Sequence, residues 1–148
     1  MKIYLATRYT AVGLVGNTAA ILEQKRYERI TKLAARLIVE KGHIVYSPVT
    51  SCHPLLKAYK QVSRKLDWAF WVDYNLQFAN WAEALVIYEP HGYQNEGFSA
   101  GVKAEYNLFH SQGKPLFMLE ARTCDLVPFF TSASVPLVNE EEGFSCDW

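Results

Sequence analysis

Apolar residues along this chain occur in short runs that alternate with longer segments of helical periodicity. Between the first two runs, and again between the last two, apolar positions recur every three or four residues, as in Val102, Tyr106 and Phe109. A strand, a helix and a second strand in succession form a βαβ unit, and the crossover between its strands implies a parallel sheet. Four runs predict strands, at residues 2–6, 43–46, 84–88 and 116–119.

Polar and glycine positions predict where the two long helices begin and end. Asn17 or Thr18 can cap the first helix, and Gly42 is a natural stop after Lys41. The last helix should end at residues 113–115, where glycine, lysine and proline follow one another. Both helices would then return the chain to the sheet in the parallel sense.

The middle of the chain is less regular. Residues 52–54 (Cys-His-Pro) read as a turn, and residues 55–65 as a short helix or a flap. Asp67 should open a further helix that is dense in aromatic residues. Those rings would pack on the sheet or in a subunit interface, but Asp73 among them needs a partner or a chemical task. The apolar residues of this helix are Trp68, Phe70, Trp71, Tyr74, Leu76 and Phe78.

After residue 119 the pattern weakens. Residues 128–130 and 134–138 suggest one more edge strand, and residues 140–143 a solvated turn or tail. No repeat and no long linker divides the chain, so residues 1–148 are predicted to form one α/β domain with a C-terminal extension of unclear role over 120–148.

Composition narrows the classes of partner. Half of the residues are apolar, and fifteen acidic residues balance fifteen basic ones, so a nucleic-acid polymer is disfavoured while a mononucleotide is not. There is no membrane-length apolar run and no signal-peptide pattern, and the three cysteines contain no C-x-x-C pair, which favours a reduced, cytoplasmic setting without membrane contact. Cys52 and His53 have no second ligand pair at useful spacing, so no metal is expected, and no organic cofactor either.

Candidate chemistry lies at the carboxyl ends of the strands, where parallel sheets bind ligands. Glu105 borders the buried face of the last helix and, like Asp73, is a candidate catalytic carboxylate. Ser99 lies near the start of that helix, where backbone N–H groups favour an anion. Arg8 and Tyr9 lie in the loop after the first strand, where a ligand would meet the sheet. Each of these signals is weak alone.

The combination resembles a known family. The pattern Ser99-x-Gly101-Val102-x-x-Glu105, with the stop at 113–115 and a strand after it, is similar to the signature of the nucleoside 2-deoxyribosyltransferase superfamily. Residues 72–76 and 81–86 resemble that superfamily's aspartate helix and following strand, and residues 1–6 its opening strand. The closest likeness is to a small uncharacterised bacterial and phage branch, DUF1937-like, and it runs to about residue 119.

The resemblance implies a flavodoxin-like three-layer fold, with a mainly parallel sheet of about five strands, that acts on N-glycosidic bonds. By carry-over Glu105 is the nucleophile, Asp73 binds the base or assists its departure, and Tyr4 contacts the nucleophile and the sugar. An oxocarbenium-like transition state suits a carboxylate below the anomeric carbon and a proton source at the leaving nitrogen. The resemblance also implies a homo-oligomer with active sites at subunit interfaces.

The position of Ser99 refines the expected substrate. In the superfamily it is aspartate where free nucleosides are used and serine where a 5′-phosphate is held, so a nucleoside 5′-monophosphate is predicted, bound by Ser99 and Gly101. Arg8 is a possible second phosphate ligand or a surface arginine, and His53 a possible substrate contact or a structural residue. Hydrolysis of the N-glycosidic bond is the main hypothesis. Deoxyribosyl transfer and a non-catalytic nucleotide sensor are the alternatives.

Overall fold

The computed structural model describes residues 1–11, 13–58, 68–90 and 97–129. Within them the chain alternates strands and helices. In chain order these elements are β1 (Lys2–Thr7), α1 (Gly16–Val39), β2 (Ile44–Tyr46), α2 (Pro48–Ala58), α3 (Trp68–Trp81), β3 (Ala84–Tyr88), α4 (Ala100–Ser111), β4 (Leu116–Glu120) and β5 (Asp125–Pro128).

The strands form one sheet in the order β2-β1-β3-β4-β5. Strands β1 to β4 are parallel, and β5 pairs with β4 in the antiparallel sense. This is a flavodoxin-like α/β fold, so the predicted fold class and the predicted parallel pairing are confirmed. The central position of β1 and β3 explains their apolar sequences, because both faces of these strands are covered.

Alternation along β1 assigns its side chains to two separate cores. Ile3 and Leu5 point to the layer of α1, where they pack in one cluster with Leu37. Tyr4 points the opposite way, into a cluster that contains Val102 of α4. A period of two residues therefore delivers a tyrosine to α4 from the middle of the sheet. Both clusters are almost completely buried.

Two predicted boundaries in the first half of the chain are wrong. Helix α1 begins at Gly16 after an extended Val15, ahead of the expected caps Asn17 and Thr18. Residues 52–54 lie inside α2 rather than in a turn. Val49, Cys52 and His53 are buried there at helical spacing, and tertiary burial of this face outweighs the turn preference of Pro54.

The other boundaries differ by a few residues or fall outside the described part. Strand β2 begins at Ile44 rather than 43, and α2 ends at Ala58, so residues 59–65 of the predicted helix or flap, and Asp67, lie outside the described residues. The expected edge strand is β5, which ends at Pro128 instead of beginning there; residues 134–138 are not described. The stretch treated as an extension thus contributes the fifth strand.

The predicted stop of the last helix offers a test of backbone strain. Gly113 has a φ of 64°, and an added Cβ would meet no atom within 4 Å. Gly113→Ala should therefore lower the free energy of unfolding by about 1 kcal/mol through left-handed backbone strain alone. Urea denaturation measures this difference.

Gly113→Asn is the matched variant, because asparagine tolerates this conformation better than alanine does. It should lose clearly less stability than Gly113→Ala. Equal losses in the two variants would show that a steric contact, and not the backbone angle, determines the cost.

Candidate active site

A hydrogen bond between the central strand and the last helix forms the centre of the candidate site. The Tyr4 hydroxyl donates to Glu105 Oε1 at 2.8 Å. Tyr4 is only 1% exposed, and its ring packs against Tyr46 and Phe109, so the direction of its hydroxyl is set by the core. The structure therefore brings together two of the three residues predicted to be catalytic.

A cavity that opens to solvent on one side lies beside this bond. Its polar lining comes from Tyr4, Glu105 and Asn75. A mainly apolar lining with a few convergent polar groups is typical of a small-molecule site. The other lining residues are Val72, Leu76, Ala79, Gly101, Ala104 and Leu108.

The carboxyl group of Glu105 has an unusual electrostatic environment. The residue keeps partial exposure, but its Oε2 atom is buried and has no hydrogen-bond partner among the described residues. Burial raises the pKa of Glu105 to about 8, and the hydrogen bond from Tyr4 opposes that rise. Burial, and next the charge of Glu105, raise the pKa of Tyr4 well above its usual value, so Tyr4 stays a donor. Such a carboxyl changes charge near neutral pH and can act as base, acid or nucleophile.

Ser99 caps the helix that carries Glu105. Its Oγ accepts a hydrogen bond from the Val102 N–H at 3.4 Å, which leaves the hydroxyl proton able to donate to a ligand. Serine is a preferred residue at this position because it satisfies an N–H group at the helix start. Gly101, two residues later, lines the cavity. The predicted anion site thus adjoins the first turn of α4.

Arg8 lies at the carboxyl end of β1, between this helix start and a second cavity. Its Nη2 donates to the Gly97 carbonyl at 3.2 Å, and its Nε lies 3.8 Å from Glu89 Oε2. The second cavity is lined by Arg8 and Glu89 together with three basic residues of α1. Those three residues are Lys25, Arg26 and Arg29. Basic groups therefore outnumber acidic ones at this edge of the sheet.

Tyr9 and His53, the remaining predicted ligand contacts, bond to each other. The Tyr9 hydroxyl meets His53 Nδ1, while His53 Nε2 lies 2.9 Å from Gln24 Oε1 and the ring stacks on Tyr27. His53 is 4% exposed, and burial lowers its pKa, so it is neutral, with Nε2 donating to Gln24 and Nδ1 accepting from Tyr9. This geometry favours the structural interpretation of His53, and a substrate contact by either residue stays a prediction.

Asp73 is not among the residues that line the cavity. It is exposed on α3, whereas the cavity is lined from this helix by Val72, Asn75, Leu76 and Ala79, which share one face at spacings of three and four. Because Asp73 is exposed to solvent, its position among aromatic residues of the sequence does not require a buried partner. Its predicted part in base departure stays a prediction.

The aromatic residues of α3 divide between core and surface. Trp71 is buried, and Phe78 stacks on Tyr46 with ring centroids 3.8 Å apart, whereas Phe70 is 41% exposed. Stacking on Tyr46 of β2 accounts for Phe78, as expected for a helix laid on a sheet. The homo-oligomer implied by the resemblance stays a prediction.

Three site residues escaped the sequence reasoning. Asn75 lines the cavity and accepts a hydrogen bond from the Tyr46 hydroxyl at 2.7 Å. Glu89, with a side chain 1% exposed, pairs with Arg8. Asn75 lies three residues after Val72 and four before Ala79, so helical spacing could have identified it. Residue 89 directly follows the central strand β3, as residue 8 follows β1, and that position could have identified Glu89. Tyr46 carried no such signal.

Comparison with known proteins places the chain in a family. Residues 1–121 match the model of DUF1937, described as a domain of unknown function. The chain belongs to the DUF1937 family. The predicted DUF1937-like branch is therefore confirmed.

The fold of this DUF1937 protein is similar to that of a nucleoside-processing enzyme. Among solved structures, a 2-deoxyribosyltransferase from Bacillus psychrosaccharolyticus is similar, with a TM-score of 0.47 and 18% identity, over 80% of this chain and 72% of that one. Comparison with curated proteins finds no match. In the described segments of the DUF1937 chain, no helix is both long and apolar enough to cross a membrane.

The buried carboxyl of the DUF1937 protein generates a test by pH. The raised pKa of about 8 means that the folded protein retains a proton at Glu105 that the unfolded chain releases from about pH 4.5 upward. Stability that is complete below pH 4.5 is therefore lost as the pH rises towards 8. Glu105→Gln removes this dependence, so its melting temperature relative to the unsubstituted protein should rise steadily between pH 4.5 and 8.

Glu40→Gln is the control for that measurement. Glu40 is exposed, and a hydrogen bond from Arg36 lowers its pKa, so this variant should show no gain at higher pH. A melting-temperature difference for Glu105→Gln that stays constant from pH 4.5 to 8 would contradict the buried, protonated carboxyl.

Proposed function

We propose that this protein hydrolyses the N-glycosidic bond of a nucleoside 5′-monophosphate, releasing the free base and ribose or 2-deoxyribose 5-phosphate, with Glu105 as nucleophile. The observation that carries the proposal is the Tyr4–Glu105 hydrogen bond beside a cavity with otherwise mainly apolar walls. One carboxylate oxygen is held by the tyrosine, and the other, Oε2, is buried without a partner in the described part of the chain. An oxygen in that state is well suited to attack a carbon that develops positive charge.

The proposed reaction proceeds in two steps. In the first, a Glu105 oxygen bonds to the anomeric carbon, the C1′–N bond breaks, and its electron pair leaves with the base, which takes up a proton. In the second, water adds to the anomeric carbon, the ester to Glu105 breaks, and the water proton is released. The Tyr4 hydrogen bond, which opposes the rise of the Glu105 pKa, favours the ionised form that the first step needs.

The phosphate end of the substrate is supported by the start of α4. Ser99 keeps a hydroxyl proton to donate, and the first N–H groups of the helix favour an anion. Arg8 contacts the carbonyl of Gly97, two residues before Ser99, so a guanidinium lies near the same helix start. An arginine and an uncharged hydroxyl suit a dianionic phosphate, which a carboxylate at position 99 would repel.

Transfer of the sugar to a second base is the alternative, because its first step is identical. The apolar cavity walls support sugar transfer, because a flat base can pack against them and replace water as the acceptor. The two reactions differ only in what attacks the glycosyl–Glu105 ester, and an acceptor added to the assay distinguishes them.

Release of the free base tests the proposed reaction directly. Incubation with ribo- and deoxyribonucleoside 5′-monophosphates near pH 8, where about half or more of Glu105 is ionised, should release free base and sugar phosphate, detected by chromatography. Glu105→Gln should lower the rate on the order of a thousandfold or more, because the nucleophile is lost. Glu83→Gln, which changes an exposed carboxylate outside the cavity, is the matched control.

Three outcomes would revise the proposal. Base release only after a second base is added would identify a transferase. Base release that persists in Glu105→Gln would exclude Glu105 as nucleophile. No release from any nucleotide, with a nucleotide still raising the melting temperature, would favour a nucleotide sensor.

A substitution at Ser99 tests where the phosphate of the substrate binds. Ser99→Asp should lower kcat/KM for the monophosphate relative to the unphosphorylated nucleoside by about tenfold or more, because a carboxylate and a dianionic phosphate about 4 Å apart repel each other by ~2 kcal/mol even in water. Asparagine and aspartate both cap helices as serine does, so Ser99→Asn is the neutral control and should keep the preference. An unchanged preference in Ser99→Asp would place the phosphate elsewhere.

A further inference from the structure

We infer that Asn75 of α3 holds the base of the bound nucleotide, by donating a hydrogen bond from its side-chain amide to an acceptor atom of the base. This inference rests on the proposed function, since it assigns the base end of the same cavity. Asn75 is 6% exposed, yet it lines the cavity that contains Tyr4 and Glu105. It is the one neutral amide in the lining given by the described residues.

The orientation of the amide is set by a neighbour. The Tyr46 hydroxyl donates to Asn75 Oδ1 at 2.7 Å, and Tyr46 is itself held by stacking on Phe78. With Oδ1 engaged, the NH₂ group is what Asn75 offers to a ligand, and no acceptor for it occurs among the residues that the structure describes. This NH₂ group is not among the buried atoms of the described residues that lack a partner, so it keeps contact with solvent, and an acceptor atom of a ligand in the cavity can take its hydrogen bond.

The rest of the cavity favours a base at this position. Val72, Leu76 and Leu108 present apolar surfaces that suit the faces of a flat heteroaromatic ring. A sugar, with hydroxyl groups on all sides, would leave those groups without partners against such walls. The polar edge of a base needs few hydrogen bonds, and a fixed amide donor provides one.

A donor at that position also assists the reaction. As the C1′–N bond breaks, the leaving base gains negative charge, which spreads onto its ring nitrogens and carbonyl oxygens. A hydrogen bond from Asn75 stabilises that charge, and donation from Tyr46 to Oδ1 polarises the amide and strengthens it. Position 73, two residues earlier, is exposed and outside the lining, so Asn75 is better placed than Asp73 to act on the base.

Calorimetric titration of the Glu105→Gln protein, which keeps its ligand intact, tests the inference with two probes. The first probe is a panel of nucleoside 5′-monophosphates of the five common bases, and the second is ribose 5-phosphate, which lacks a base. Adding Asn75→Leu should weaken binding of the preferred monophosphate at least tenfold and leave ribose 5-phosphate within twofold. Gln77→Leu, on the exposed side of the same helix, is the matched control and should change neither.

Each outcome separates the inference from the proposed function. Equal weakening of both probes, no weakening, or no monophosphate binding at all would overturn the assignment of Asn75 to the base. Weakening by Asp73→Asn in place of Asn75→Leu would return the base contact to Asp73. A base-dependent loss in Asn75→Leu, in a protein that releases no base from any nucleotide, would support Asn75 and refute the hydrolase.

Discussion

The candidate site depends on one constraint, the burial of a carboxyl group between the central strand and the helix that follows β3. A buried carboxylate is unfavourable unless it is protonated or partnered, and among the described residues Glu105 has one partner, the Tyr4 hydroxyl. The fold meets this demand because Tyr4 lies on the α4 side of β1 and Glu105 lies in the second turn of α4. Removal of either group would leave the other without this hydrogen bond. One contact therefore links β1 to α4 and also lowers the pKa of Glu105 against the effect of burial.

Aromatic packing around this bond also fixes the positions of neighbouring polar groups. Tyr4 contacts Tyr46, Tyr46 stacks on Phe78, and the Tyr46 hydroxyl holds Asn75. Polar groups on β1, β2 and α3 are thereby oriented by rings rather than by loops. Sites supported in this way are positioned more accurately than sites on loops alone. The burial of Tyr46 raises its pKa, so it remains a hydrogen-bond donor at neutral pH.

Much of the architecture followed from periodicity. Strand β3 was predicted with its observed bounds, since five apolar residues between polar flanks leave little choice. The sequence pattern places Ser99 near the start of the last helix, and in the structure Ser99 caps that helix through the bond from the Val102 N–H. The pairing of Tyr4 with Glu105 came from the resemblance; local pattern alone could not supply it, because the two residues are separated by 101 positions and meet only through the sheet order.

The errors arose where tertiary contacts overrule local signals. Pro54 marks a turn in isolation, but Val49 and Cys52 bury one side of a helix that includes it. The role of Asp73 stays a prediction, but the side chain that this helix directs towards the cavity is the uncharged Asn75. Residue type attracted attention in both cases, and the direction of the side chain, which depends on packing, determined the outcome.

Charges at the carboxyl edge of the sheet are arranged in a way that matches the proposed substrate. On the α4 side lies the carboxyl of Glu105, and on the α1 side lie Arg8 and the basic residues of the second cavity, with Glu89 as their counterion. In the transition state of N-glycosidic cleavage, the sugar ring gains positive charge while the 5′-phosphate stays negative. The two ends of the substrate therefore require opposite signs from the protein. An edge with a carboxylate on one side and guanidinium groups on the other meets that requirement.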